Sequence, residues 1–189
     1  MIIFCVVEAS AQFQKGQFYI GIEAGKRFVK YNALGIQPSG SIGLNDHSVA
    51  GIFFDYSKQD WDYTNHNGDI KNYGVGIFYN YAHYFGKQKK WGWFVSSALS
   101  FNQIRATEIN SGTNLNSQYN QTRLAFTPGI FYKLTPNIML QLNVGDLYFS
   151  HDKYQFFNVR SSLATQINIG VIIGFGNSSD KKRIAKTTY

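Results

Sequence analysis

The chain is poor in cysteine, proline and charge, three features that many folds depend on. Its 189 residues include one Cys and three Pro, and charged residues make up 15% of the sequence, against roughly 25% in an average soluble domain. A single cysteine excludes a disulfide framework and a Cys-rich zinc site. The length of one domain, the scarcity of proline and the low charge together exclude a disordered chain, a collagen-like chain and a coiled coil.

Long apolar runs are also missing. No stretch of the sequence reaches the ~18 consecutive apolar residues expected of a membrane-crossing helix. A membrane-crossing strand has a different signature, because only every second residue of such a strand faces lipid. The absence therefore argues against helical spans and leaves spans made of strands open.

The sequence does contain many aromatic residues, many glycines and a repeated alternation. Aromatic residues make up 17% of the chain, and 18 residues are glycine. Apolar side chains recur at every second position of 163–175, 138–145, 73–81 and 34–44. A period of two indicates β-strands. With four less regular segments, the predicted strands are 17–26, 34–44, 48–57, 73–81, 91–104, 122–133, 138–145 and 163–175.

The connections between these strands favour a closed barrel. Short turns alternate with longer polar loops, as in membrane barrels. Eight antiparallel strands in lipid need closure, since open edges would leave backbone groups unpaired. The fold class is therefore predicted to be all-β, an eight-stranded antiparallel up-and-down transmembrane β-barrel. The short turns are Asn45-Asp46, Gly86 to Lys90 and Thr135 to Asn137; the loops are 58–70, 106–121 and 150–161, and the connection at 27–32 is the short exception.

The choice between a membrane barrel and a soluble one depends on the second face of each strand. That face holds mostly Gly, Ala, Ser, Asn and Gln, which suits a crowded lumen better than a surface in water. Strand propensity alone also enriches aromatics, so a soluble lipocalin-like ligand-binding barrel stays the alternative. Aromatic girdles are predicted at Tyr56, Trp61, Tyr63 and Tyr73 near the loops, and at Phe85, Trp91, Trp93, Tyr132 and Phe175 near the turns.

The two ends of the chain differ from the barrel region. The apolar run Met1 to Val7 precedes Ala9-Ser10-Ala11, which fits the small-residue cleavage site of a secretory signal peptide. The run is short and no basic residue precedes it, so a truncated signal peptide is predicted, with a short N-terminal strand as the alternative. The predicted organisation is a signal peptide at 1–12, a barrel at 13–176 and a basic periplasmic tail at 177–189.

Three charged residues are predicted to face the lumen: Glu23, Asp55 and Arg123. Buried charges must pair or form hydrogen bonds, so we expect a Glu23–Arg123 or an Asp55–Arg123 pair within a polar network. A gate or a narrow ion path is the functional alternative. Eight strands enclose an interior just wide enough for side chains, which favours a filled lumen and argues against a general diffusion porin.

No cluster in the sequence predicts a cofactor, a metal site or a catalytic centre. The four histidines, His47, His66, His83 and His151, form no pair with metal-ligand spacing. Ser150 beside His151 suggests a barrel enzyme acting on outer-membrane lipid, but neighbouring strand residues point to opposite faces. We therefore expect a protein that is not an enzyme, with the lipid enzyme kept as an alternative. No motif indicates nucleic-acid binding.

Two motifs carry a resemblance to a known family. The first is Gly76 to Tyr81 followed by Trp91 to Phe94; the second is Thr127 to Tyr132 followed by Leu134 to Asn137. The segment Pro38-Ser39-Gly40 is a weaker copy of the second motif. Over residues 17–176 the chain resembles the small outer-membrane β-barrel domain family of Gram-negative bacteria, the OmpA/OmpX-like eight-stranded barrels.

This resemblance implies a location, an assembly route and a role. It implies a monomeric integral protein of the outer membrane, in contact with its lipid, inserted by the barrel-assembly machinery. The family's assembly signal matches Asn168, Gly170, Ile173 and Phe175 in the last strand, although the chain continues past it to Tyr189. The expected role is envelope structure, or contact with an extracellular ligand through loops 58–70 and 106–121.

Overall fold

The fold is described here from a computed structural model. It describes residues 13–27, 32–63, 66–86, 88–110, 113–152, 158–163 and 166–175. The predicted signal peptide at 1–12 and the predicted tail at 177–189 lie outside these residues. Within them, there is no helix long and apolar enough to cross a membrane.

Strands account for most of the described residues. The alternation of side chains along the sequence explains why, because β-branched and aromatic residues favour an extended backbone. The strands are β1 (Phe18–Arg27), β2 (Asn32–Asn45), β3 (Ser48–Tyr63), β4 (His66–Phe85), β5 (Trp91–Asn110), β6 (Thr113–Thr135), β7 (Ile138–Asn143), β8 (Leu147–Asp152), β9 (Asn158–Ser161) and β10 (Gln166–Phe175).

These segments form a closed ring of eight antiparallel strands. The ring runs β1-β2-β3-β4-β5-β6-β7-β10, and β10 pairs back with β1. The last residues of β6, Gly129 to Thr135, pair with β7, and the middle of β6, Gln121 to Phe126, pairs with β8. The segment β9 in turn pairs with β8. The seventh and eighth barrel strands are therefore each interrupted once, and the predicted eight-stranded antiparallel barrel is confirmed.

Two of the predicted loops are wrong. β3 and β4 stay paired up to Tyr63 and His66, and β5 and β6 stay paired up to Asn110 and Thr113. The apolar alternation ends at the edge of the membrane, but backbone hydrogen bonds continue between polar strands. Segments 58–63 and 66–71 form what we call the β3–β4 ribbon, and 104–110 with 113–119 form the β5–β6 ribbon. The predicted loop 150–161 likewise contains the ends of β8 and β9.

The outer surface of the barrel is a continuous apolar belt. Ile77, Phe101 and Ile169 expose 59%, 60% and 61% of their area. Water-soluble proteins rarely expose apolar surface on this scale. A lipocalin-like barrel buries its apolar face inside, so the soluble alternative is wrong. Other exposed apolar residues of the belt are Phe18, Ile20, Ile22, Ile36, Ile42, Ile52, Phe54, Val75, Leu124, Ile130 and Ile173.

Aromatic side chains border this belt at both ends. Tyr56 and Tyr73 pack at 5.3 Å near the ribbons, and Phe85 and Trp91 pack at 5.6 Å near a turn. Phe85 follows Tyr73 by twelve positions along β4, which gives roughly 30 Å across the membrane for a strand tilted by about 40°. Trp93, Tyr132 and Phe175 are also exposed near the turns, and the side chains of Trp61 and Tyr63 are not described.

The turn end of the lumen is filled by what we call the aromatic plug, made of Phe13, Tyr19, Tyr84, Phe94 and Phe131. The chain before β1 folds into this mouth of the barrel. The backbone N–H of Phe13 donates to the Tyr84 hydroxyl at 3.0 Å, and that of Gln14 donates to the Tyr19 hydroxyl at 2.8 Å. The plug closes this half of the lumen with side chains from four strands and from the preceding segment.

Candidate functional site in the barrel lumen

A polar cavity lies beyond the aromatic plug, in the half of the lumen nearer the ribbons. Its volume is about 330 Å³, and Glu23, Asp55, Arg123, Asn143 and Asp146 are among the side chains that line it. The lumen is therefore filled at the turn end only, which corrects the prediction of a lumen filled throughout. A polar cavity of this size holds several waters.

A β-bulge brings Asp146 into this cavity. Three residues separate Asn143 from Leu147, whereas two separate their β6 partners Gly129 and Phe126. The extra residue makes Gly145 and Asp146 both face the lumen, where both are buried. Gly145 has a φ of 91°, which side chains with a Cβ rarely adopt. Bulges of this kind redirect a side chain without ending the strand.

Asp146 links three barrel strands. The Arg123 guanidinium of β6 donates to the Asp146 carboxylate. The Ser162 hydroxyl donates to the other carboxylate oxygen, and the backbone N–H of Ser162 donates to the Asp146 carbonyl at 2.8 Å. The Arg123 side chain also lies 4.0 Å above the Tyr148 ring. The breaks in the seventh and eighth strands are thus fastened to each other and to β6.

Glu23 forms a second cluster. Its carboxylate accepts hydrogen bonds from the side-chain amides of Gln141 and of Asn143, the latter at 3.0 Å. Gly170 stands between Glu23 and Gln141 in the ladder. A Cβ on Gly170 would lie 2.7 Å from Glu23 Cγ and 2.8 Å from the Gln141 amide nitrogen. The missing side chain of Gly170 therefore lets the two neighbours meet across it.

The pairing inside the lumen differs from the sequence-based prediction. The structure places Glu23, Asp55 and Arg123 around the cavity as expected, but neither predicted pair forms the ion pair. Arg123 pairs with Asp146, while Asp55 accepts a hydrogen bond from the Asn72 amide at 2.7 Å. The bulge explains the difference, because it places a nearer carboxylate opposite Arg123.

The sequence analysis missed several charged residues of the lumen, among them Asp146, Lys133 and Arg160. Asp146 was missed because unbroken alternation after Asn143 would have pointed it towards lipid. Lys133 was also missed, although it lies an even number of residues from Arg123 on β6 and therefore faces the same side of the strand. It is 5% exposed, and its ammonium lies 5.0 Å above the Tyr84 ring in the aromatic plug. Counting in steps of two from Arg123 would have placed Lys133 in the lumen.

The four residues of the predicted assembly signal lie on β10. Asn168 and Gly170 face the lumen, and the Asn168 side chain accepts a hydrogen bond from the Gln166 amide at 3.0 Å. Ile173 and Phe175 face lipid, with 40% and 50% of their area exposed. Their recognition by an assembly machinery stays a prediction, and Gly170 has in addition the packing role given above.

The side chains that suggested a lipid enzyme are not arranged as a nucleophile and a base. Ser150 is buried at 3% exposure inside the barrel, while its neighbour His151 is exposed on the outer face. The His47 ring nitrogen lies 3.0 Å from the Ala82 carbonyl, and His83 stacks on Trp93 at 5.7 Å on the outside. In the described part of the chain, no three His, Cys, Asp or Glu residues are grouped to hold a metal.

Comparison with solved structures shows which known proteins share this architecture. Neisserial surface protein A superposes with a TM-score of 0.54 and 23% identity, over 84% of this chain and 97% of that one. The chain has the fold of the small eight-stranded outer-membrane barrels. Together with the lipid-facing belt, this fold makes the barrel an integral protein of the outer membrane, as predicted.

Other comparisons are more distant. The N-terminal barrel of Pseudomonas aeruginosa OprF matches at 15% identity and a TM-score of 0.45, over 85% of this chain and 98% of that one. A major outer membrane protein of Thermus thermophilus matches at 12% and 0.47, over 86% and 100%. A scan against protein-family models finds no match, and a search of curated proteins finds none either.

Proposed function

We propose that the barrel is a non-enzymatic surface protein that contacts partners outside the cell through its two β-ribbons. The observation that carries the proposal is the length of the strands. β5 and β6 contain 20 and 23 residues, whereas a transmembrane β-strand needs about 9–11. Roughly half of each strand is therefore available outside the membrane.

The ribbons extend well beyond the aromatic girdle. β5 and β6 pair without interruption from Gln103 to Asn110, which adds about 24 Å of strand past the girdle. The β3–β4 ribbon continues from Tyr56 to Tyr63 in the same way. In small outer-membrane barrels the longer connections are extracellular and the short turns periplasmic. The ribbons therefore extend into the exterior, and both termini of the barrel lie on the periplasmic side.

The chemistry of the β5–β6 ribbon suits polar contacts. Its exposed side chains include Asn116, Ser117 and Gln118, with Leu115 exposed by 56%. Uncharged amides and hydroxyls offer both donors and acceptors, and the paired backbone holds them at fixed spacing. Such a surface fits a glycan or a polar protein surface better than a strongly charged ligand.

The lumen favours contact over transport. The aromatic plug fills the turn end, and the bonded segment Phe13 to Gln17 lies across it. Eight-stranded barrels enclose little more than their own side chains. The separation of Ser150 from His151 on opposite faces likewise favours a barrel without hydrolytic chemistry.

Shortening one ribbon tests this proposal. We expect removal of residues 107–116, with Ala106 and Ser117 joined by an Asn-Gly turn, to abolish partner binding and leave the barrel folded. Ala106 and Ser117 are directly opposite in the ladder, and Asn-Gly suits a two-residue hairpin turn. The measurement is binding of the purified barrel, in lipid nanodiscs, to arrays of glycans and matrix proteins.

The control keeps the ribbon and changes the other end of the barrel. Lys89→Gln/Lys90→Gln alters the β4–β5 turn and should bind like the wild type. Loss of binding in the shortened barrel alone supports contact through the β5–β6 ribbon. Equal binding by the shortened barrel, or no binding of the wild type to either array, would contradict the proposal.

A further inference from the structure

Two carboxylates in the lumen cavity form no ion pair with any described residue. Glu23 accepts hydrogen bonds from two side-chain amides, and Asp55 accepts one from the amide of Asn72. Arg123 is the ion-pair partner of Asp146 instead. Amide donors are neutral, so they bind the carboxylate oxygens without balancing the charge. Two negative charges therefore face the cavity without a paired cation.

The remaining cation of the cavity does not supply the missing charge. Arg160 lines the cavity, but its side chain is exposed and forms no ion pair with a described carboxylate. Among the described side chains that line the cavity, three carboxylates face two guanidinium groups. Inside a barrel an unbalanced carboxylate is costly, because it has lost much of its hydration.

The two unpaired carboxylates lie on either side of one strand. Glu23 of β1 is opposite Gln37 of β2, and the register between β2 and β3 places Asp55 opposite Gln37 on its other side. Eight strands enclose an interior only as wide as their own side chains, so inward side chains converge towards the axis. Carboxylates two strands apart can therefore reach the same ion.

Each of these carboxylates is bound by an asparagine whose amide oxygen has no hydrogen-bond donor. Asn143 donates through Nδ2 to Glu23 at 3.0 Å, and Asn72 donates through Nδ2 to Asp55 at 2.7 Å. The Oδ1 atoms of both asparagines are buried without a hydrogen-bond partner. Asn143 is 2% exposed, and both residues line the cavity. A buried acceptor without a donor is costly, and beside a carboxylate a cation satisfies it best.

The types of oxygen and their number indicate calcium. Carboxylate and amide oxygens are hard ligands, which Ca²⁺ binds in sets of six to eight with irregular geometry. Two carboxylates balance its two charges, and the cavity of about 330 Å³ has room for waters that complete the shell. Mg²⁺ requires a nearly ideal octahedron, which oxygens from four different strands, β1, β3, β4 and β7, do not favour.

We propose that the lumen binds one Ca²⁺ ion between Glu23 and Asp55, with the amide oxygens of Asn143 and Asn72 as further ligands. The cavity extends outward to Gln59 at the base of a ribbon, and the aromatic plug fills the opposite end of the lumen. The ion enters from the side of the ribbons and stops at the plug, so the site is not an ion path. It is also separate from the ribbon surface proposed for partner contact.

Equilibrium dialysis with radioactive calcium tests this site. The barrel is placed in phosphatidylcholine nanodiscs, which carry no net lipid charge, and bound calcium is counted against empty nanodiscs at neutral pH. We expect one ion per barrel with a dissociation constant of about 0.1–1 mM, as in other extracellular calcium sites. Glu23→Gln and Asp55→Asn should each weaken binding by at least about 10-fold, because affinity follows the charge of the ligands.

Matched variants separate the site from general surface charge and from loss of structure. Asp60→Asn makes the same charge change on the outer face of β3 and should bind calcium like the wild type. Asn143→Asp turns the unpaired amide oxygen into a carboxylate and should bind at lower calcium, which a merely destabilised variant would not do. Only variants that show the gel shift of a folded barrel are compared, and Asn143→Asp decides if neither lumen carboxylate variant folds.

Three results would overturn the proposal. The first is the absence of saturable binding above empty nanodiscs, which would leave the cavity to water alone. The second is equal affinity in the wild type and in the folded lumen variants. The third is displacement of the bound calcium by K⁺ or Mg²⁺ as effectively as by unlabelled Ca²⁺, since the site would then not select calcium.

Discussion

Replacing Arg123 by methionine is expected to lower the free energy of unfolding by about 3–5 kcal/mol, because it leaves the Asp146 carboxylate buried without its cation. Asp146 is 9% exposed, and Arg123 is its ion-pair partner. The remaining hydrogen bond from Ser162 offsets only part of the desolvation of the charge. Methionine matches the length of the aliphatic part of arginine, so lost packing is a small component of the loss.

A second variant separates the charge from the shape. Arg123→Met/Asp146→Asn removes both charges and should recover most of the loss, since paired removal is far milder than breaking one partner. The measurement is urea unfolding of the barrel in detergent micelles, followed by the gel shift between folded and unfolded forms. A single variant as stable as the double would contradict the role of this ion pair.

Replacing Gly145 by alanine is expected to lower the free energy of unfolding by at least about 2 kcal/mol. Its φ of 91° is strained for any residue with a Cβ. The added Cβ would lie 2.1 Å from the backbone carbonyl oxygen of Ser162. Ser162 is fastened to Asp146 through its backbone N–H and its hydroxyl, so its carbonyl cannot move away cheaply. The bulge that orients Asp146 would shift instead.

Gly35 is the matched control for Gly145. A Cβ on Gly35 would meet Ser57 Cβ at 3.4 Å and the Tyr56 carbonyl at 3.5 Å, which are ordinary contacts. Gly35→Ala should therefore stay within about 1 kcal/mol of the wild type, measured in the same unfolding experiment. Gly145→Ala and Gly35→Ala with equal stability would show that the bulge does not depend on glycine.

The barrel could be predicted from the sequence because alternation reports the facing of each residue directly. Residues such as Ile77 and Ile169 are exposed at the positions where the period of two placed them. The ribbons were missed for the converse reason. Beyond Tyr56 and Gln103 both faces of the strands meet water, so the apolar alternation that marks a strand disappears while its backbone pairing persists.

The candidate site was only partly predictable, for a different reason. Counting every second residue is sufficient to place Glu23, Asp55 and Arg123 in the lumen, because each lies on an uninterrupted strand. It fails at Asp146, since one inserted residue reverses the facing of everything that follows. The single signal of that insertion in the sequence is Gly145 beside Asp146, and many glycines of this chain serve close packing instead. Partner choice inside a lumen therefore needs the three-dimensional register.

Heat modifiability in the outer-membrane fraction tests the central claim most directly, that the chain is a closed barrel with its apolar belt in lipid. The chain, preceded by a complete signal peptide, is expressed in a Gram-negative host, and its membrane fraction is run on SDS gels unheated and boiled. The structure predicts a band in the outer-membrane fraction that migrates faster when unheated, because closed barrels resist detergent until heated. A soluble periplasmic protein with no such shift would contradict the account.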